Sequence, residues 1–140
     1  MAMSATKRPA SISLADYQTL SEFRYLIRCF TEFSQKAARD IGLTSRQHQA
    51  LLAIKGFPGG GNVTIGALAE RLQIRHHSAV ELVNRLADSG LVCRRHSSTD
   101  QRQVILELTD SANHFLAELS AVHLEEIDRI RPLLRELLHD

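Results

Sequence analysis

The sequence predicts a mainly α-helical domain with a small β-hairpin wing, and three features of its 140 residues carry that expectation. The hydrophobic period is helical on both sides of a short break near residue 74. It changes to period two between 91 and 108, and long amphipathic segments flank this region at both ends. The order helix, corner, helix, hairpin is that of a winged helix-turn-helix, placed here at 44–109. Terminal helices over 13–41 and 110–140 complete a single domain of 13–140.

Residues 1–12, MAMSATKRPASI, carry Lys7 and Arg8 but lack the apolar centre of a secretory signal. They read as a flexible tail on a cytoplasmic protein. From Ser13 to Ile41, Leu14, Tyr17, Leu20, Phe23, Ile27, Phe30, Phe33 and Ala37 form one apolar stripe. Ser13 and Asp16 make a start resembling a capping box, and the helix would be roughly 40 Å long at 1.5 Å per residue. Leu43 and Thr44 open a further helix, and the PGGGN run at 58–62 is a flexible connection rather than a phosphate cradle.

Ile65, Leu68, Ala69 and Leu72 then repeat at helical spacing, Gln73 to Arg75 interrupt, and Val80, Val83, Leu86 and Ala87 resume. Gly90 ends that second helix, because glycine accepts the left-handed conformation of a helix stop. Leu91 to Arg95 is a short strand, HSSTDQR a polar loop, and residues 103–108 the alternating return strand. Thr109 is placed to cap the last helix. Pro132 is expected to break or kink it, since proline removes a helical donor and disfavours helix at Arg131.

Composition narrows the function. The hydrophobic share of 44% is ordinary for a globular protein, and no apolar run approaches the roughly 18 residues of a membrane span. Two cysteines far apart suit a reducing compartment. A net charge of +1 is low for a nucleic-acid binder, but it is unevenly distributed. Between 71 and 102, Arg71, Arg75, Arg85, Arg94, Arg95 and Arg102 face only Glu81, Asp88 and Asp100, so the rest of the chain is net acidic. The basic surplus thus falls where this architecture meets a duplex, with helix 76–88 in the major groove and wing 91–108 over the neighbouring backbone. Arg75, His76, His77 and Ser78, at the start of that helix, are the candidate base and phosphate contacts, with Arg85 further along. Arg94 and Arg95 would reach the backbone. Glu81 is repulsive near phosphates unless it accepts from cytosine N4.

GLVCRR at 90–95, Asp100-Gln101-Arg102 and Leu108-Thr109 together resemble the signature of the MarR family of bacterial transcriptional regulators. Leu43-Thr44, Leu68-Ala69 and Val83 to Leu86 also fall where that family would have them. The resemblance implies a repressor that binds a palindromic operator in double-stranded DNA as a homodimer. It assigns Arg102 to the minor groove and gives Asp100 the task of holding that arginine or a neighbouring one. A homodimer is also the economical way to cover terminal helices that carry more apolar surface than one small reader can bury. The family further implies release by a small lipophilic or phenolic effector, for which Phe23, Phe30, Arg39 and His48 are the candidate lining residues.

Two other readings stay open. Cys93, between the hairpin start and Arg94-Arg95, is the candidate thiol of a redox sensor, with burial as a small apolar residue the alternative. A winged helix can also bind protein, for which an apolar recognition helix would be the signature. No nucleophile with an identifiable base and no phosphate-binding glycine motif points to an enzyme. No cofactor is expected, and histidines and cysteines at metal-ligand spacing are lacking.

Overall fold

A computed structural model describes residues 11–100 and 102–138, and the expectation for the tail falls, up to residue 10, outside the described residues. The described elements are α1 (Leu14–Asp40), α2 (Ser45–Lys55), α3 (Ile65–Leu72), α4 (His76–Asp88), β1 (Val92–His96), β2 (Val104–Leu108) and α5 (Asp110–Leu138). β1 and β2 pair antiparallel with Val92 opposite Leu108 and His96 opposite Val104. The mainly helical fold with a hairpin wing is therefore present in the expected order.

Helix starts follow the side-chain oxygens. The Ser13 hydroxyl accepts from the Asp16 N–H at 3.1 Å while Asp16 Oδ2 accepts from the Ser13 N–H at 2.9 Å, so the box closes fully with aspartate. The Ser13 backbone N–H foremost, and then the Ser13 side chain, hold the Asp16 carboxyl below the usual carboxylate value. Thr44 and Gln47 make the equivalent box for α2, and Thr64 caps α3 through the Ala67 N–H at 3.1 Å. Thr109 Oγ1 accepts from the Ala112 N–H at 3.2 Å, as expected of the cap of α5.

The ends of α3 and α4 are set by left-handed residues. Gly90 has φ +72°, and Leu91 N–H donates back to Leu86 at 2.8 Å, closing the helix with a six-to-one bond. Gln73 adopts φ 55° at the corner between α3 and α4, with Ile74 N–H bonded to Ala69 at 3.0 Å. A non-glycine residue in that region costs about 1 kcal/mol, so the corner is held by its surroundings rather than by local preference.

The wing strands start one residue later than the alternation suggested. Leu91 spends its N–H on the helix stop, and Gln103 spends its own on the Asp100 carbonyl at 3.0 Å, so each meets the opposite strand through its carbonyl alone. Val63 adds a single bridge beside β2, receiving the Leu106 N–H at 2.8 Å, which the sequence pattern did not announce.

The core gathers Leu51, Ile54, Val63, Leu68, Val83, Leu86, Leu91, Val92, Leu106 and Leu116 from α2, α3, α4, the wing and α5. On α4 the buried line is Ala79, Leu82, Val83 and Leu86 rather than one through Val80 and Ala87, which are half-buried. Burying small Ala79 lets the helix settle closer to its neighbours than the bulkier valine would. The N-terminal part of the α1 stripe stays uncovered in the single chain, with Leu14 73% and Leu20 61% exposed. Pro132 does not break α5, which continues to Leu138. Its missing N–H deprives only the carbonyl four residues back, at Asp128 on an exposed turn, where water can serve it.

Gly90 has open space where a Cβ would stand, so an added methyl tests backbone conformation alone. Gly90→Ala should destabilise the fold by about 1 kcal/mol, the left-handed penalty less the gain from a stiffer unfolded chain. Urea unfolding measures this, and an unchanged midpoint would show that the corner is not constrained at this residue.

Candidate nucleic-acid interface

The α4 helix presents a polar outer face because its apolar residues are turned inward. His76, His77, Glu81, Asn84, Arg85 and Asp88 are exposed or nearly so, and Ser78 is half-buried or more open. Arg75 occupies the N-cap position with no side-chain hydrogen bond to the helix. The first-turn N–H groups are thus left to solvent or to an anion, beside an exposed guanidinium. Arg75, His76, His77 and Ser78 are consequently brought together at one helix end, with Arg85 near the other. Glu81, Arg85 and Asp88 make the body of α4 slightly acidic, so positive charge at this surface comes from Arg75, from Arg71 on α3 and from the wing.

The two arginines of β1 lie on opposite faces, as strand alternation requires. Arg94 turns to α4 and donates Nη2–H to Asn84 Oδ1. Arg95 forms an ion pair with Glu107 and donates to Asn62 Oδ1 at 3.1 Å. Glu107 stands opposite Cys93 in the ladder and reaches Arg95 on the diagonal, a separation long side chains span readily. Both guanidiniums expected to contact the duplex backbone therefore have partners within the chain. The same pairings bear on Cys93: it is exposed, but each arginine that follows it is engaged with another side chain.

At the wing tip, Ser97 is buried and its hydroxyl receives the Thr99 N–H at 3.2 Å. Asp100 Oδ1 accepts the Arg102 backbone N–H at 3.0 Å. The carboxylate thus holds that arginine through its main chain; a short acidic side chain two residues back suits such a turn. Arg102 itself is exposed.

The four candidate effector residues do not form one cluster. Phe23 is 38% exposed on α1 and Arg39 is exposed near its end. Phe30 and His48 instead converge on His123 of α5, with ring centroids 6.0 and 4.8 Å away. His123 Nδ1 faces the Leu119 carbonyl at 2.6 Å, and Nε2 lies 2.8 Å from the Ser34 hydroxyl. A carbonyl only accepts, so Nδ1–H donates the bond to Leu119. A separate groove of about 600 Å³ runs between α1 and α5 past Phe33, Ala37, Ile41, Leu119 and Val122, and none of the four candidates lines it.

His48 is 3% exposed and its Nδ1 is buried without a hydrogen-bond partner. Burial, and then the neighbouring His123, push its pKa below the usual histidine value. Such a group binds protons more readily when the chain is unfolded. Its contribution is therefore complete above the ordinary value of about 6.5 and is lost as pH falls below that toward the folded one. Thermal unfolding between about pH 7.5 and about pH 5 should show a decline that His48→Leu reduces. Parallel declines in both proteins would mean that His48 does not carry this dependence.

Asn62, Asn84 and Glu107 are the interface residues that motif reasoning left without a role. The diagonal of Glu107 and Arg95 could have been found once the hairpin register was fixed, whereas Asn62 comes from a loop more than thirty residues away in sequence.

Residues 41–103 match the MarR family. A curated relative, the HTH-type transcriptional repressor MdtR of Bacillus subtilis, is 28% identical over 80 residues, 57% of this chain and 50% of that protein. The chain spans about half the length of the curated relatives it matches. Among solved structures, a MarR family protein from Bacillus stearothermophilus superposes with TM-score 0.72 at 19% identity, covering 91% of this chain and 96% of the other. A mutant of S. aureus MepR bound to an oligodeoxyribonucleotide superposes with TM-score 0.64 at 18% identity, covering 93% and 87%. Among the described residues no helix is long and apolar enough to cross a membrane. Over residues 41–103 the chain matches the MarR family model, and its winged-helix fold, reaching into both terminal helices, is similar to that of solved MarR family proteins.

Proposed function

We propose that the protein is a sequence-specific DNA-binding transcriptional regulator that works as a homodimer on a palindromic operator. The observation that carries this reading is the exposed start of α4, where Arg75, His76 and His77 surround uncapped backbone N–H groups. That end of a recognition helix is the part that enters a major groove, and arginine pairs bidentately with guanine there. Arg102 at the wing tip is placed for the narrow minor groove, whose negative potential attracts arginine. The relative named a repressor and the neighbour bound to an oligodeoxyribonucleotide support the same reading.

Dimerisation is supported by apolar side chains that the single chain leaves open. Tyr17 and Ile27 on α1 are 60% and 43% exposed, and Leu124 and Leu138 on α5 are 62% and 66% exposed. A second copy would cover them and set two recognition helices about 34 Å apart, one turn of the duplex. A dimer seated on a promoter blocks polymerase without further contacts, which favours repression. Release by a small lipophilic effector would work by favouring a spacing of the two readers that no longer fits the operator.

A protein-binding role would require an apolar recognition face, and the exposed residues of α4 are polar or charged. Selection of duplexes from a random library should recover a palindrome, and Arg75→Ala should relax it at particular positions. Failure of the folded dimer to enrich any site would remove the reading. Arg102→Ala should weaken binding to the selected site and flatten its salt dependence by about one unit of slope. An unchanged slope and affinity would take the wing tip out of recognition.

A further inference from the structure

His77, Glu81, Asn84 and Asp88 follow spacings of four, three and four, which aligns them along the outer face of α4. An unengaged asparagine on such a face reads adenine, accepting from N6 with its carbonyl and donating to N7 with its amide. At Asn84 the carbonyl is already engaged, since Arg94 of β1 donates to Oδ1. The orientation of the amide is fixed by that partner, because a guanidinium can only donate. Arg94 and Asn84 are both exposed, so the pair stands at the surface of the reader rather than in its core.

The pair therefore turns donors outward: the Asn84 amide N–H groups and the remaining N–H groups of Arg94. Guanine answers such a surface with two adjacent acceptors, O6 and N7. Adenine sets its N6 donor beside N7, and cytosine presents the N4 donor. We propose that Asn84 and Arg94 form one composite guanine reader, in which an arginine from the wing strand switches an asparagine of the recognition helix away from adenine. The proposal rests on the DNA-binding reading above and adds to it a residue pair and a base.

The test is duplex selection from a random library with the full chain, its Arg94→Ala and Asn84→Ala variants, and Arg94→Lys, which keeps a donor for Asn84 Oδ1. The wild-type protein should select guanine at one position in each half-site. Arg94→Ala should move that position toward adenine by about tenfold, Asn84→Ala should lose the preference at the same position, and Arg94→Lys should keep guanine. Circular dichroism confirms that each variant is folded. An enriched site whose base preferences all survive Arg94→Ala would overturn the composite reader and leave the DNA-binding reading standing. If the two alanine variants relaxed different positions, the residues would be acting separately and the proposal would again fall. No enriched site with the wild-type protein would remove both.

Discussion

The geometry of the whole reader hangs on a knot of main-chain and hydroxyl bonds where α4, the wing and α5 meet. Leu91 N–H returns to Leu86 to end the helix, Thr109 N–H donates to the Leu91 carbonyl at 3.1 Å, and Thr109 Oγ1–H donates to the Gly90 carbonyl at 2.7 Å. The same hydroxyl oxygen accepts from Ala112 to start α5. One threonine thus fixes the exit of the recognition helix, the closing end of the hairpin and the launch of the last helix. Each bond alone contributes about 1 kcal/mol, but together they leave the wing no independent hinge at its base. A major-groove helix and a minor-groove wing need this rigid relation if both are to engage one duplex.

Electrostatics are divided between elements. The recognition helix is not itself basic, and its central face mixes Glu81 and Asp88 with neutral donors. Positive charge lies around it, on Arg71, Arg75 and the wing. This suits a division in which phosphate contacts supply affinity and orientation while the helix face supplies discrimination. The internal partners of the wing arginines fit the same division. Held by Glu107 and Asn62, Arg95 would lose little freedom in meeting a phosphate in the proposed complex, with its charge already partly neutralised. Such an exposed ion pair contributes little to stability, so its main effect is on where the side chain points.

Much of this was legible in the sequence, for reasons that differ by element. Ser13, Thr44 and Thr109 were readable as helix starts, and with Thr64 they are hydroxyl residues that each satisfy an N–H three residues on, whereas α4 starts at Arg75 without such a cap. The hairpin was visible through the alternation of its return strand and its polar tip, although adjacent Ile105 and Leu106 are both buried and β1 is exposed beyond Val92. Other features depend on tertiary partners and left no local trace. Gln73 in a left-handed corner runs against its own preference, Ala79 was hidden by the more hydrophobic Val80, and Pro132 is accommodated inside α5, where Asp128 four residues back is exposed. The polar wing tip was legible, but spacing alone does not say whether a carboxylate takes the backbone or the guanidinium of Arg102, and here it takes the backbone.

The joint between the terminal helices and the reader is a place where the interior turns polar. Ser34 from α1, His48 from α2 and His123 from α5 meet among Phe30 and Phe33; both ring nitrogens of His123 are matched there, while His48 Nδ1 is not. An unmatched buried nitrogen costs about 1 to 3 kcal/mol, which the aromatic packing around it must offset. A purely apolar joint would be more stable and would tolerate slippage between helices, whereas directional bonds at His123 specify one arrangement. α1 and α5 carry the uncovered apolar surface that a second copy would cover, and α2 is part of the reader's own core. In the proposed dimer, the angle fixed at this joint would set how far apart two readers stand, so the cluster would link dimer geometry to operator spacing.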